Sequence, residues 1–277
     1  TAAGDVPFLV VGTAGSVSTG AVDPLPEISA LCKEYGLWFH VDGAYGGFAA
    51  AVPQAHDDLR GLRLADSIAV DPHKWLYAPL EAGCALVRDP EMLRAAFAYH
   101  PPYYHFEERV TNYVDCGPQN SRGFRALKVW LALKHVGAAG YRSMIAEDIR
   151  LSQAMAQAIS RHAELQLMTQ ELSITTFRYV PSDLRAKLGE SEVELHLDAL
   201  NRELVDRLQR GGEAFLSNAV VGGHYVLRAC IVNFHTTQLD VEAVSDIVVR
   251  IGREVDISRS RRLNGSSSET SAPNRQE

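Results

Sequence analysis

Short apolar runs and stretches of helical period alternate through the first third of the chain. Residues 6–11, Val6-Pro7-Phe8-Leu9-Val10-Val11, are apolar on both alternations, which predicts a strand covered on both faces. A loop of glycines and small hydroxyl residues follows, Gly12-Thr13-Ala14-Gly15-Ser16-Val17-Ser18-Thr19-Gly20. Such a loop either lets a ligand approach the backbone or simply turns a strand into a helix. Asp23-Pro24 reads as an N-cap and first helical position. Ile28, Leu31 and Cys32 recur at helical spacing and Gly36 stops the helix. Residues 37–42 are the next apolar run. Strand, helix, strand at these lengths is a βαβ unit, so a parallel sheet is expected.

Residues 48–64 are mixed, with Pro53 breaking any long helix, and predict short helical turns. Strands are expected at 66–70 and, returning antiparallel, at 83–88, then a short helix at 90–97. Residues 99–121 have no period and carry Pro101, Pro102, Pro118, Tyr99, Tyr103, Tyr104 and Tyr113. A structureless segment longer than about 12–15 residues is usually a functional loop or a lid, here one whose aromatics cover a substrate or contact a second subunit; the alternative is a passive connection. Helical texture covers 122–137 and 141–162. The remainder predicts strands at 164–168, 174–180, 214–221 and 225–232, with amphipathic helices at 192–210 and 239–253. That mixture is an α+β cap. Residues 258–277 hold almost no large apolar side chain and read as a disordered tail.

Composition narrows the function classes. A hydrophobic content of 46% and a charged content of 22% describe an ordinary globular chain. A formal charge of −7 argues against a nucleic-acid surface. No apolar run approaches the roughly 20 residues of a membrane helix, and no signal-peptide pattern opens the chain. Cys32, Cys84, Cys116 and Cys230 form no CxxC pair and no metal-like spacing, so buried free thiols in a reducing cytoplasm, and no metal, are expected. The chain begins Thr1-Ala2-Ala3 and enters a strand almost at once, which reads as the later part of a longer protein.

Two apolar runs end in chemically useful side chains. Trp38-Phe39-His40-Val41-Asp42 turns through Gly43-Ala44-Tyr45-Gly46-Gly47, and Ser67-Ile68-Ala69-Val70 ends in Asp71-Pro72-His73-Lys74-Trp75. Open parallel sheets bind ligands at the carboxyl edge of their strands. A lysine buried just past a strand would offer a neutral amine to a carbonyl, although a lone lysine is more often a loop-tip surface residue. Asp42 ends a run too apolar for an exposed strand, so its carboxylate needs a partner, and a protonated pyridine nitrogen is one such group. The separation, 74 − 42 = 32 residues, leaves room for one crossover and one more strand. Ala44 is small enough for a flat ring to lie against the backbone.

These two motifs together resemble the group II pyridoxal-phosphate-dependent decarboxylases, a family that includes aromatic-amino-acid, glutamate, tyrosine and histidine decarboxylases. Gly12-Thr13-Ala14-Gly15-Ser16 with Thr19-Gly20-Ala21-Val22-Asp23-Pro24 is similar to the family's loop before the helix. The similarity runs from about residue 7 to residue 133, and more weakly through Val226-Leu227-Arg228-Ala229-Cys230-Ile231-Val232-Asn233. It implies an α/β fold: the later part of an aminotransferase-like (fold type I) large domain with a mainly parallel sheet over 1–135, and a small α+β domain over 136–257.

By the same resemblance, Lys74 is the Schiff-base lysine for pyridoxal 5'-phosphate (PLP). Asp42 pairs with the pyridine nitrogen, Ala44 packs against the ring, His73 sits near the phosphate, and Ser16 belongs to the neighbouring cofactor wall. Tyr103, with Tyr104 as fallback, matches the loop tyrosine that protonates the carbanion after carbon dioxide leaves. Arg122 and Arg125 match basic residues after that loop. Val17 stands where a hydroxyl residue is common. The family's ring-stacking histidine and most phosphate-binding residues would lie upstream of Thr1. The implied function is decarboxylation of an L-amino acid to an amine, in a cytoplasmic homodimer that exchanges loops between subunits. A PLP-dependent aldehyde synthase, an aminotransferase-like relative, or an inert fragment lacking half the site are the alternatives. A tyrosine in the loop favours decarboxylation.

Overall fold

The computed structural model describes residues 4–53, 55–103, 105 and 110–269, with side chains through 259. Two compact units divide it: Thr1–Ser16 with Ala21–Ile145, and Val17–Gly20 with Ala146–Glu277. The contact boundary thus lies within a helix, beyond the expected break after residue 135.

Unit 1 carries a four-stranded sheet in sequence order, β1 (Leu9–Thr13), β2 (Trp38–Asp42), β3 (Ser67–Val70) and β4 (Cys84–Val87). The first three are parallel, with Thr13 opposite Asp42 and Asp42 opposite Ala69. β4 returns antiparallel, Val70 opposite Cys84. Helix α1 (Leu25–Tyr35) supplies the crossover between β1 and β2, and Gly36 ends it at φ 65°, where a glycine has no Cβ to clash. Leu25, Cys32, Phe39, Val41 and Trp75 form the buried heart of this unit.

Three expectations need correcting here. Asp23 does not cap α1: its carboxylate accepts from the Thr13 amide at 2.7 Å, and Pro24 holds the cap position without a side-chain bond. β1 is not covered on both faces: Leu9 and Val11, which share one face, are 40% and 51% exposed, and Phe8 just before the strand is 78% exposed. Of the four free thiols only Cys32 is buried; Cys84 lies exposed on β4, and Cys116 and Cys230 are half-buried.

After α2 (Pro72–Trp75) and α3 (Pro90–Phe97), the long helix α4 (Arg125–Ser160) is broken by Gly137 at φ 71°, ψ 167°. That break accounts for the two helical periods seen in the sequence. Unit 2 holds the later arm of α4, an antiparallel sheet ordered β5 (Leu165–Glu171), β6 (Ile174–Tyr179), β8 (His224–Cys230), β7 (Ser217–Val221), and helices α5 (Ser191–Gly211) and α6 (Gln238–Glu269). Leucines 197, 200, 204 and 208 of α5 are buried along one face, as their spacing predicts. α6 continues to Glu269, whereas composition predicts disorder from 258; Ser258 and Arg259 still bond Arg207 and Glu203, which carries the helix past its last core residue. Residues 270–277 lie outside the described residues. No described helix is long and apolar enough to cross a membrane, and no metal-like cluster occurs among the described residues.

Candidate active site

Three loops leave the carboxyl ends of β1, β2 and β3, and backbone hydrogen bonds knit them together. The Ala14 amide donates to the Asp42 carbonyl at 2.8 Å, and the Gly46 amide returns to the Ala14 carbonyl at 2.9 Å. Gly43 donates to Ala69 at 2.8 Å, and Asp71 donates to Ala44 at 3.2 Å. Each loop is therefore positioned by its neighbour, which removes the freedom that Gly-rich turns would otherwise keep.

A ring stack adds to this lattice. Tyr45 of the second loop lies on Trp75 of the third, centroids 4.9 Å apart and planes 4° off parallel. Trp75 is fully buried. Such a stack contributes about 0.5–1.5 kcal/mol beyond area burial. Gly15, at φ 92°, passes beneath it: a Cβ there would sit 2.9 Å from Tyr45 Cδ1 and 3.0 Å from the Gly46 amide nitrogen. Sequence reasoning gave Tyr45 and Trp75 no role. Their recurrence as the aromatic just beyond each motif's functional side chain was the available signal.

Asp42 caps its own turn, one carboxylate oxygen accepting from the Ala44 amide at 3.0 Å. Its other oxygen makes no hydrogen bond among the described residues. Contrary to expectation Asp42 is exposed, because the end of β2 opens to solvent. Lys74 is likewise not buried. Its side chain is 42% exposed, and Nζ lies 2.8 Å from the Asp71 carboxylate. An exposed pair of this kind contributes only about 0–1 kcal/mol, enough to aim the amine without trapping it. Asp71 is a third residue to which sequence reasoning gave no role, although its three-residue spacing from Lys74 on a helical turn marks a contact.

His73 is held from its Nδ1 side. Its Nδ1 lies 2.8 Å from the Ala82 carbonyl oxygen and 3.2 Å from the Ala82 amide nitrogen, while Nε2 is 3.9 Å from Asp71. The ring is thereby fixed to the segment entering β4. Ser16 donates its amide to the Ala21 carbonyl at 2.9 Å, beside the same bond from Gly15 at 3.2 Å. These bonds close the loop after β1. Asp42, Ala44, His73 and Lys74 thus share one sheet edge, joined to the Ser16 loop through Ala14. Tyr103 belongs to another part of the unit: it follows α3 and is 74% exposed. Tyr104 lies outside the described residues. Arg122 donates to the Tyr113 and Gln119 carbonyls at 3.2 and 3.1 Å, and Arg125 pairs with Glu81, its Nε donating at 2.7 Å.

The edge offers an accessible primary amine, a carboxylate with one oxygen uncommitted, and the small residue Ala44 on the loop that bonds both Asp42 and Asp71. That donor set suits a carbonyl-bearing aromatic cofactor with a protonated ring nitrogen.

Comparison with known proteins bears on the family. The conserved domain of pyridoxal-dependent decarboxylases matches residues 1–180. An aromatic-L-amino-acid decarboxylase of Bacillus atrophaeus is 35% identical over 260 residues, covering 92% of this chain and 53% of that protein. A phenylacetaldehyde synthase of a Rosa hybrid cultivar is 31% identical over 233 residues, 82% of this chain and 46% of that protein. Among solved structures, Oryza sativa TDC with PLP and tryptamine superposes with a TM-score of 0.82 at 28% identity, over 91% of this chain and 52% of that one. The chain spans about half the length of the curated relatives it matches.

Proposed function

The chain belongs to the pyridoxal-dependent decarboxylase family, and on that premise we propose that the full-length protein converts an L-amino acid to its amine and carbon dioxide with PLP held at Lys74. The observation that carries this reading is the position of Asp42 at the carboxyl end of β2 and of Lys74 on the helix just past the carboxyl end of the adjacent parallel strand β3. When bound, the cofactor supplies an electron sink for the charge left on Cα as the carboxylate departs.

The chain's own residues divide the remaining work. Lys74 would hold the cofactor covalently through Nζ, released from its weak pair with Asp71. Asp42 would present its uncommitted oxygen to the ring nitrogen and keep that nitrogen protonated. Ala44 would leave room for the ring face, and His73 and Ser16 would border the phosphate. Tyr103 would carry the proton delivered to Cα. Phe8 and Phe124, 78% and 75% exposed on unit 1, support packing against further protein. That protein is, in this reading, a second copy in a cytoplasmic homodimer whose 99–121 loops reach the neighbouring site.

A second reading is favoured by the aldehyde synthase among the relatives. There the same amino acid, with dioxygen and water, would yield an aldehyde, carbon dioxide, ammonia and hydrogen peroxide. The full-length protein, incubated with a panel of L-amino acids, is expected to release carbon dioxide and one equivalent of amine without peroxide. Peroxide in step with carbon dioxide would establish the second reading, and no carbon dioxide from any amino acid would remove both.

A further inference from the structure

We propose that His100 and Asp115 are positioning residues that clamp the loop carrying Tyr103 and set where its hydroxyl is presented. The inference rests on the reading of Tyr103 as the proton donor. His100 Nε2 lies 2.8 Å from Asp115 Oδ1, across fifteen residues of sequence. Asp115 is only 8% exposed, so its carboxylate has lost most of its water and the imidazole N–H replaces it.

The far side of the clamp is fixed independently. Asp115 lies in a 3-10 turn, Tyr113–Cys116, its amide donating to the Asn112 carbonyl at 3.0 Å. Arg122 braces the same turn through the Tyr113 and Gln119 carbonyls. His100 therefore docks onto a wall that is already held.

Between the clamp and Tyr103 stand only Pro101 and Pro102. Each proline ring fixes φ near −65°, and a proline also restricts the residue before it. A two-proline spacer is a stiff arm rather than a tether. Anchoring His100 at its base thus places Tyr103 within a narrow range. A flexible arm would leave the clamp without influence on the tyrosine.

The test uses the full-length holoenzyme and five variants: His100→Asn, Asp115→Asn, the exchange His100→Asp with Asp115→His, Tyr103→Phe, and His100→Asn combined with Tyr103→Phe. Misplacing a reacting group by about 1 Å can cost about 10²-fold in rate. His100→Asn and Asp115→Asn are therefore expected to lower kcat by ~10–100-fold, with the bound cofactor's absorbance and KM little changed. The exchange variant restores kcat to within about 3-fold, because it rebuilds the pair. Combined with Tyr103→Phe, His100→Asn adds no further loss, since the clamp acts only through that tyrosine. Limited proteolysis, read on the cofactor-free protein, cuts the 99–112 segment faster in both single variants. If Tyr103→Phe retains full kcat, the proton-donor reading fails and the clamp's purpose with it. If Tyr103→Phe is crippled while His100→Asn keeps full kcat, or if the two losses multiply, the clamp alone is overturned. Should Asp115→Asn fold poorly, the half-exposed His100→Asn decides the matter.

Discussion

The two units solve the problem of burial in opposite ways. In unit 2 the strand β6 is buried at every position, and α5 and α6 close a core of Leu204, Leu208, Phe177 and Val248. Unit 1 has short strands and leaves Phe8, Val11, Phe124 and Trp130 at least half exposed. The candidate chemistry lies entirely on unit 1. The difference teaches that the site is held by local means, backbone bonds between loops and one ring stack, rather than by a deep core. Mutations of the exposed site residues of unit 1 should therefore alter chemistry with little change in stability, and mutations in the core of unit 2 should do the reverse.

The largest effect expected is from Lys74→Ala in the full-length protein. Removing the amine takes decarboxylation to background, while the thermal midpoint stays within about 2 °C, since the Asp71 pair it breaks is exposed. A large loss of stability in that variant would blur the division between the units.

Unit 2 should answer in kind. Arg178 is 3% exposed and is held by Glu194, which also lies 3.1 Å from His224. Glu194→Ala leaves a buried guanidinium without its counter-ion, a loss of about 3–5 kcal/mol by urea unfolding. Turnover per folded molecule should be unchanged.

Acid offers a gentler probe of the same unit. The hydrogen bond from Arg178 holds the Glu194 carboxyl below its ordinary range, and the hydrogen bond from Arg253 does the same for Glu164. A depressed folded-state pKa contributes stability that is full above the unfolded value of about 4.3 and is lost as pH falls through the folded value. Unfolding midpoints for unit 2 should therefore fall between about pH 5 and pH 2, and Glu194→Gln should flatten part of that slope.

The smallest effect belongs to the open surface of unit 1. Phe124→Ser should shift the stability of the 277-residue chain by no more than about 0.5 kcal/mol. Leu204→Ala in the closed core should cost about 3 kcal/mol, and equal losses at the two sites would erase the contrast drawn here.

Much of this was legible in the chain because periodicity reports local structure. The βαβ order, the antiparallel return of β4, and the amphipathic faces of α5 and α6 follow from apolar spacing alone. The placement of Asp42 and Lys74 at one sheet edge was legible because a parallel sheet puts successive strand ends on the same side. What sequence spacing does not encode is which surfaces find a partner. Phe8 and Val11 carry the same apolar signal whether covered or bare, so the exposure of β1 could not be read. Nor could the fate of Asp23, whose carboxylate can cap a helix or reach across to Thr13; only the tertiary position of β1 decides between them. Lys74 and Asp42 were expected to be buried because their strands are apolar, yet Asp42 is the last residue of β2 and Lys74 lies on the short helix after β3, and both stand where the loops open to water.

The central claim is that Lys74 is the covalent anchor, and chemical trapping tests it most directly. The full-length protein loaded with PLP is reduced with borohydride, digested and mapped by mass spectrometry. The account predicts a single pyridoxyl adduct, on the peptide that contains His73-Lys74-Trp75. An adduct on another lysine, Lys128 or Lys134 for instance, with Lys74 unmodified, would contradict it.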